Sequence, residues 1–179
     1  MIKLHLGCGK RNFGDSWTHI DGGDFSHLSA HDITKLNFKN DSVDLIYASH
    51  VLEYFDRTEV IEILREWNRV LKVGGILRLA VPDFEAMTNL YKSGFPLETF
   101  LGPLYGKMEM SGNTIYHKTC YDFNSLRLLL ESNNFGDTQK YDWRKTEHSG
   151  IDDHSQAYIP HMDKQNGTLI SLNIETFKQ

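Results

Sequence analysis

Leu4-His5-Leu6-Gly7-Cys8-Gly9 is a short apolar run that stops on a Gly-x-Gly turn. The run reads as a first strand over residues 2–6. A glycine turn directly after a strand lets the backbone approach a ligand closely, with no Cβ in the way and positive φ available. Outward from this point, strand-like and helical segments alternate, the pattern of a parallel sheet covered on both faces. A second strand over residues 17–21 runs into Asp21-Gly22-Gly23, a third short segment ends near Asp32 and Ile33, and Val43-Asp44-Leu45-Ile46-Tyr47-Ala48 makes a fourth.

Asp56-Arg57-Thr58-Glu59 has the capping-box spacing and predicts a helix start. Val60, Ile61, Leu64, Trp67 and Leu71 form its buried stripe, and Gly74-Gly75 its stop. A fifth strand over 76–81 closes at Pro82, and Phe84, Met87, Leu90 and Tyr91 suit one face of a short helix. From residue 92 to 119 the periodicity fails while apolar residues persist, the mark of a functional lid rather than a linker. A helix through Phe123, Leu126, Leu129 and Leu130, a sixth strand over 138–143, a polar loop over 144–167 and a last strand over 168–177 complete the pattern.

Composition bounds the rest. A chain of 179 residues suits one domain, and 40% hydrophobic content with 24% charged residues supplies a core and excludes the signature of disorder. A net charge of −5 offers no electrostatic footprint for nucleic acid or an anionic membrane. Cys8 and Cys120 are too far apart for a zinc or disulfide pattern, which points to a reducing, cytoplasmic setting. No run reaches the roughly 18 apolar residues of a membrane span, and the opening residues are too short an apolar stretch for a signal peptide.

The glycine turn alone is weak evidence. Asp21 at the end of the next strand strengthens it, because a carboxylate there accepts from both ribose hydroxyls of an adenosine-containing cofactor. A dinucleotide fingerprint wants a third glycine, and Lys10, Arg11 and Asn12 follow Gly9 instead.

The ordered set Leu4 to Gly9, His19-Ile20-Asp21, Asp32-Ile33, Asp41 to Tyr47 running into Ser49-His50-Val51-Leu52-Glu53, and Leu71 to Leu77 running to Val81-Pro82-Asp83 resembles the class I S-adenosylmethionine-dependent methyltransferases. Within that class it is most similar to the small bacterial ones whose first motif is Leu-Gly-Cys-Gly. The resemblance implies an α/β fold, a Rossmann-like, doubly wound, seven-stranded, mostly parallel sheet with an antiparallel last strand, filling one methyltransferase domain over residues 1–179. It implies S-adenosyl-L-methionine as cofactor. Leu6, Gly7, Cys8 and Gly9 would line the methionine portion, Asp21 with Gly22 beside it the ribose, and Asp32 and Ile33 the adenine. Ser49 and His50 would meet the amino acid end.

Compared with the class, the chain is expected to be an N-terminally shortened version, and it reaches Trp17 about eight residues after Gly9. That is fewer than the roughly dozen residues of a parallel crossover. Lid-like insertions near 92–119 and 144–167 are therefore expected to close the site.

Methyl transfer needs alignment and exclusion of water, and a general base where the acceptor is a hydroxyl. His50, His117 and Asp83 are the candidate catalytic groups, Asp83 having a simpler alternative as a helix cap. Asp152, Asp153, His154 and His161 read as a solvated loop rather than a metal site, and Glu53 as a local contact. The expected partner is a small-molecule acceptor, a sugar hydroxyl or carboxylate, with a homodimer left open. Two other classes stay in view: a module that binds S-adenosylmethionine without turnover, and a nucleotide-dependent oxidoreductase.

Overall fold

The computed structural model describes residues 1–110 and 112–179; Ser111, inside the expected first lid, lies outside the described residues. In chain order the elements are β1 (Lys3–Leu6), β2 (Thr18–Ile20), β3 (Val43–Ser49), α1 (Glu59–Val70), β4 (Leu71–Pro82), α2 (Phe84–Lys92), α3 (Glu98–Tyr105), β5 (Met108–Met110), β6 (Asn113–Ile115), α4 (Phe123–Glu131), β7 (Phe135–Lys140), β8 (Tyr158–Ile159), β9 (Thr168–Leu169) and β10 (Ser171–Lys178).

The main sheet has the order β2-β1-β3-β4-β10-β7, with β10 antiparallel to both neighbours and the other strands running one way. The Rossmann-like expectation holds with six strands instead of seven. The missing strand is the third. Its place at the edge is taken by one isolated parallel bridge, Ile20 to Ala30, with Ser29 and Asp21 amides bonding across it. Two residues further on, the Asp32 carboxylate accepts from the Thr34 N–H and hydroxyl, a side-chain turn that takes the backbone out of extended pairing.

Helix α1 begins as its sequence predicts. The Asp56 carboxylate accepts from the Thr58 and Glu59 amides, while Glu59 accepts in return from the Asp56 N–H. Val60, Ile63, Leu64, Trp67 and Val70 are its buried face. Trp67 is fully enclosed, and its indole N–H donates to the Ile33 carbonyl at 2.8 Å, tethering the helix to the loop where the third strand was expected. The helix ends at Val70, ahead of Leu71 and the glycine pair, because the chain already pairs with β3 at Leu71.

Two further expectations shift. The segment over 92–119 is not irregular: it contains α3, carried through Gly102 and Pro103, and the β5–β6 hairpin. The strand expected over 138–143 lies at Phe135–Lys140, and Trp143 sits instead in a 3-10 turn, Trp143–Lys145.

The short first crossover forms no helix, as its length predicts; residues 10–17 run in turns. An aromatic plug fills the space a helix would cover. Phe13 stacks between His5, at 3.9 Å between ring centroids, and His148, at 4.3 Å, with Tyr47 and Trp17 at its edges. His5, His19 and His148 are buried here, and desolvation holds all three below the usual histidine range, His148 at about 4.

Buried neutral histidines make the fold acid-sensitive. A histidine whose folded pKa is depressed takes up a proton on unfolding, so its stabilisation is present above pH 6.5 and is lost as pH falls towards its folded value. His5, His19, His50, His117, His148 and His154 all have this sign, while Glu53, pushed up to about 8, has the opposite one. The melting temperature is expected to fall by roughly 5–10 °C between pH 7 and pH 5. His148→Phe, which keeps the stack and removes a ring nitrogen with no partner, should reduce that fall in a calorimetric pH series.

Candidate active site

The parallel strands end at one edge of the sheet, and antiparallel β10 begins there, so the tips of β1 to β4 meet Ser171. Gly7 and Gly9 both adopt left-handed backbone, with φ of 65° and 55°. A Cβ on Gly7 would sit 2.3 Å from Val51 Cγ2, so the turn closes against that side chain, whereas one on Gly9 would meet nothing nearer than Arg11 at 3.9 Å. The Gly7 amide donates to the Ile20 carbonyl. Asp21 then ties the strand ends together: one carboxylate oxygen accepts from the Gly9 N–H and the other from the Gly23 N–H, each at 2.7 Å.

Between the glycines, Cys8 is buried, with its Sγ 3.7 Å from His27 Nε2. Burial, and then the charge of Asp21, push its thiol up to about 12, so it stays a neutral wall atom. Leu6 is fully buried in the main core. Met110, from the β5–β6 hairpin, lies over the second turn, its sulfur 3.1 Å from where a Cβ on Gly22 would be. Ser49, at the tip of β3, is buried, and its hydroxyl has no partner among the described residues.

Asp32 is exposed and lines a cleft of about 410 Å³ with Ile20, Ala30 and Phe38. Ile33 does not open on that cleft; its side chain packs against the main core.

His50 follows Ser49 with a left-handed φ of 54°. Its Nε2 is 3.2 Å from Ser171 Oγ and its Nδ1 is 3.3 Å from Glu53 Oε1. Glu53 is entirely inaccessible, and the same Oε1 is 3.8 Å from His117 Nε2. His117 donates from Nδ1 to the Pro103 carbonyl at 3.0 Å, and its ring fills the space over Gly106. Thus His50 and His117, separate in sequence, meet on one carboxyl that sequence reading assigned to a local contact. Its signal was the Ser49-His50-Val51-Leu52-Glu53 spacing, which puts residues 50 and 53 together on a single turn. Asp83 stands apart: its carboxylate caps α2 by accepting from the Ala86 N–H.

A second cleft, of about 550 Å³, opens beside this cluster, lined by Arg11, Phe95, Thr99, His154, Tyr158 and Pro160 among others. The His154 ring lies 5.2 Å from that of His50. The two acidic residues of this wall are engaged: Asp153 accepts from the Tyr47 hydroxyl at 2.5 Å and from Ser155, and Asp152 pairs with Lys164 at 3.0 Å. Arg11 donates to the Asp152 carbonyl and has no ion pair among the described residues.

A sheet of this order with a glycine turn after β1 and a carboxylate at the tip of β2 defines an α/β protein whose strand ends carry the groups an adenosyl cofactor would need. Residues 4–79 match the family described as a methyltransferase domain. Solved structures agree on the fold. A methyltransferase from Methanosarcina mazei is 16% identical with a TM-score of 0.60, covering 99% of this chain and 92% of its own. One from Archaeoglobus fulgidus is 14% identical with a TM-score of 0.58, covering 99% and 86%. The Burkholderia thailandensis 1,6-didemethyltoxoflavin-N1-methyltransferase, solved with its acceptor and S-adenosylhomocysteine, is 12% identical with a TM-score of 0.57, covering 99% and 71%. No curated protein matches the chain. Among the described residues no helix is long and apolar enough to cross a membrane.

The residues present fit S-adenosylmethionine: open space above Gly9, two left-handed glycines, and an unpartnered buried hydroxyl on Ser49. Gly7→Ala forces a Cβ into Val51 on left-handed backbone and should cost at least about 1–3 kcal/mol, read from urea unfolding. Asp21→Asn leaves only one accepting oxygen for two amides and should weaken S-adenosylhomocysteine binding by roughly tenfold or more in calorimetry.

Proposed function

We propose that the chain methylates a small polar acceptor, a sugar hydroxyl or carboxylate, held in the cleft between Arg11 and His154. The observation that carries this reading is the position of Arg11. It stands two residues beyond Gly9, and its side chain forms part of the 550 Å³ cleft, so the glycine turn and that cleft share a wall. A cleft of this volume suits a small molecule. The Arg11 guanidinium, held by one bond to the Asp152 carbonyl but without an ion pair among the described residues, favours an acceptor with an anionic or hydroxyl-rich face. The Burkholderia thailandensis neighbour, bound to a small heterocycle, supports a small-molecule acceptor by analogy of fold.

In this reading Gly7, Cys8, Gly9, Asp21, Gly22, Asp32, Ser49 and His50 surround the cofactor, while Leu6 and Ile33, expected beside it from the sequence, are turned into the main core and support the strand ends from behind. When bound, S-adenosylmethionine supplies a sulfonium-activated methyl group. The chain's residues orient and desolvate. Met110 covers the second turn, and Phe95 and Pro160 supply apolar wall that excludes water from the acceptor. A carboxylate acceptor is already ionised and needs no base. A hydroxyl needs one, and of the two exposed imidazoles lining the cleft, His154 and His161, His154 is the one beside His50, held neutral by desolvation and with no side-chain hydrogen bond among the described residues. His50 and His117 stand behind it as the polar back wall. Asp83 contributes by fixing the start of α2, which carries Met87 and Leu90 into the small core formed with Phe100, Ile159 and Ile170.

Transfer of labelled methyl from S-adenosylmethionine to a panel of hexoses and sugar acids tests this reading. Turnover is expected on at least one member, with His154→Ala slowing hydroxyl acceptors by roughly 100-fold or more and sparing carboxylates. Arg11→Gln should raise KM for anionic acceptors about tenfold. Cofactor binding without turnover on any small polar acceptor would favour the non-catalytic module instead.

A further inference from the structure

Glu53 is fully buried, and neither carboxylate oxygen has a hydrogen-bond partner by strict geometry. A buried group in that state is costly and calls for a physical account. The surrounding hydrogen bonds supply one, because each can be assigned a direction.

The Asn173 amide nitrogen donates to the Ser155 carbonyl, which leaves Asn173 Oδ1 facing Ser171. The single proton of the Ser171 hydroxyl goes to that oxygen. Ser171 Oγ is therefore an acceptor towards His50 Nε2, which must carry a hydrogen. In the neutral ring this leaves Nδ1 as a bare lone pair, 3.3 Å from Glu53 Oε1. The other side repeats the pattern. Since the Pro103 carbonyl only accepts, His117 Nδ1 carries the hydrogen, and its Nε2 lone pair faces the same oxygen at 3.8 Å. An ionised Glu53 would confront two lone pairs in a dry interior.

We infer that Glu53 is a protonated carboxylic acid that donates to His50 Nδ1, and that it is the positioning residue which locks the tautomers of His50 and His117 at the strand tips. One proton, held on the carboxyl, satisfies a contact that is otherwise acceptor against acceptor. Burial acts in the same direction on all three groups, pushing Glu53 up to about 8 and both histidines down. Glu53's own backbone N–H faces its carboxyl and favours the ionised form, but less than burial opposes it; the remaining groups facing this carboxyl are hydroxyls. Tyr54, which donates to the Gly106 carbonyl, is pushed up to about 12, and Tyr121, buried without a partner, is raised further still. The charges of His154, His117 and Arg11 disfavour the charged form of His50, while a backbone hydrogen bond to His154 acts more weakly the other way. None of these groups supplies a counter-cation to an ionised Glu53.

The location of the proton is read without turnover, so it is tested separately from the proposed acceptor; only the kinetic consequence rests on that reading. Nitrogen-15 and carboxyl carbon-13 NMR of the wild-type chain at pH 7 should show His50 protonated only at Nε2, His117 only at Nδ1, and Glu53 as the acid form. On raising the pH, Glu53 should titrate near 8. Either histidine found as imidazolium at pH 7, or Glu53 titrating in the ordinary range near about 4.3, overturns the inference. Glu53→Gln keeps a donor towards His50 and cannot ionise. The wild type is expected to lose S-adenosylhomocysteine affinity above pH 8, as Glu53 ionises, and Glu53→Gln should preserve both tautomers and abolish that loss. Persistence of that alkaline loss in Glu53→Gln would assign it to another group and also overturn the inference. Should the variant fail to fold, the wild-type titration decides alone.

Discussion

Asp21 is shared by two turns. Each of its carboxylate oxygens accepts one backbone amide, Gly9 on the β1 side and Gly23 on its own, at 2.7 Å. The bond to Gly9 holds a left-handed turn that propensity alone would leave free, and the Gly7 amide bound to Ile20 fixes the other end. Everything at the strand tips is referenced to that clamp. Val51 closes on Gly7, Met110 on Gly22, and Arg11 leaves the turn at the one place from which it lines the acceptor cleft. With no helix in the first crossover, this clamp and the Phe13 stack are what hold residues 7–17 in place.

A second line of polar contacts crosses the sheet. Glu53, His50, Ser171, Asn173 and Ser155 form a line of contacts under the cleft, and Asp153 carries it on to Tyr47 in the aromatic plug. Such chains are stabilising only when every member is satisfied, since an unpaired group in a low-dielectric interior costs more than a bond returns. This is why the protonation of one carboxyl bears on groups well away from it.

Local chemistry made much of the fold legible in the sequence. The Asp56–Glu59 box and the β-rich Val43–Ala48 run depend on neighbours within a few residues and appear where expected, and the α1 stripe holds at Val60, Leu64 and Trp67, with Ile63 and Val70 in the places of Ile61, only partly buried, and Leu71, which opens β4. Departures occur where distant parts decide. Residues 29–30 form one bridge instead of a strand because Asp32 turns onto Thr34 and Ile33 anchors Trp67. α3 persists through Gly102 and Pro103 because Phe100 buries against Ile159 and Ile170, remote in sequence. At the site, the glycines and Asp21 announced themselves by spacing. The meeting of His117 with Glu53 did not, since it needs α3 and the β5–β6 hairpin to be folded first.

Because β10 runs against its neighbours, it begins at the ligand edge with Ser171 and finishes at the opposite one, where Lys178 bonds Asp41 and the Leu71 carbonyl. β1 also starts at that far edge, with the Ile2 amide held by Asp44. Residues 1 and 179 therefore leave the sheet on the same side, opposite the strand tips. A tether at either end would fix the molecule to a bead or sensor surface with its strand tips facing outward, so immobilisation and ligand access are geometrically independent in this fold.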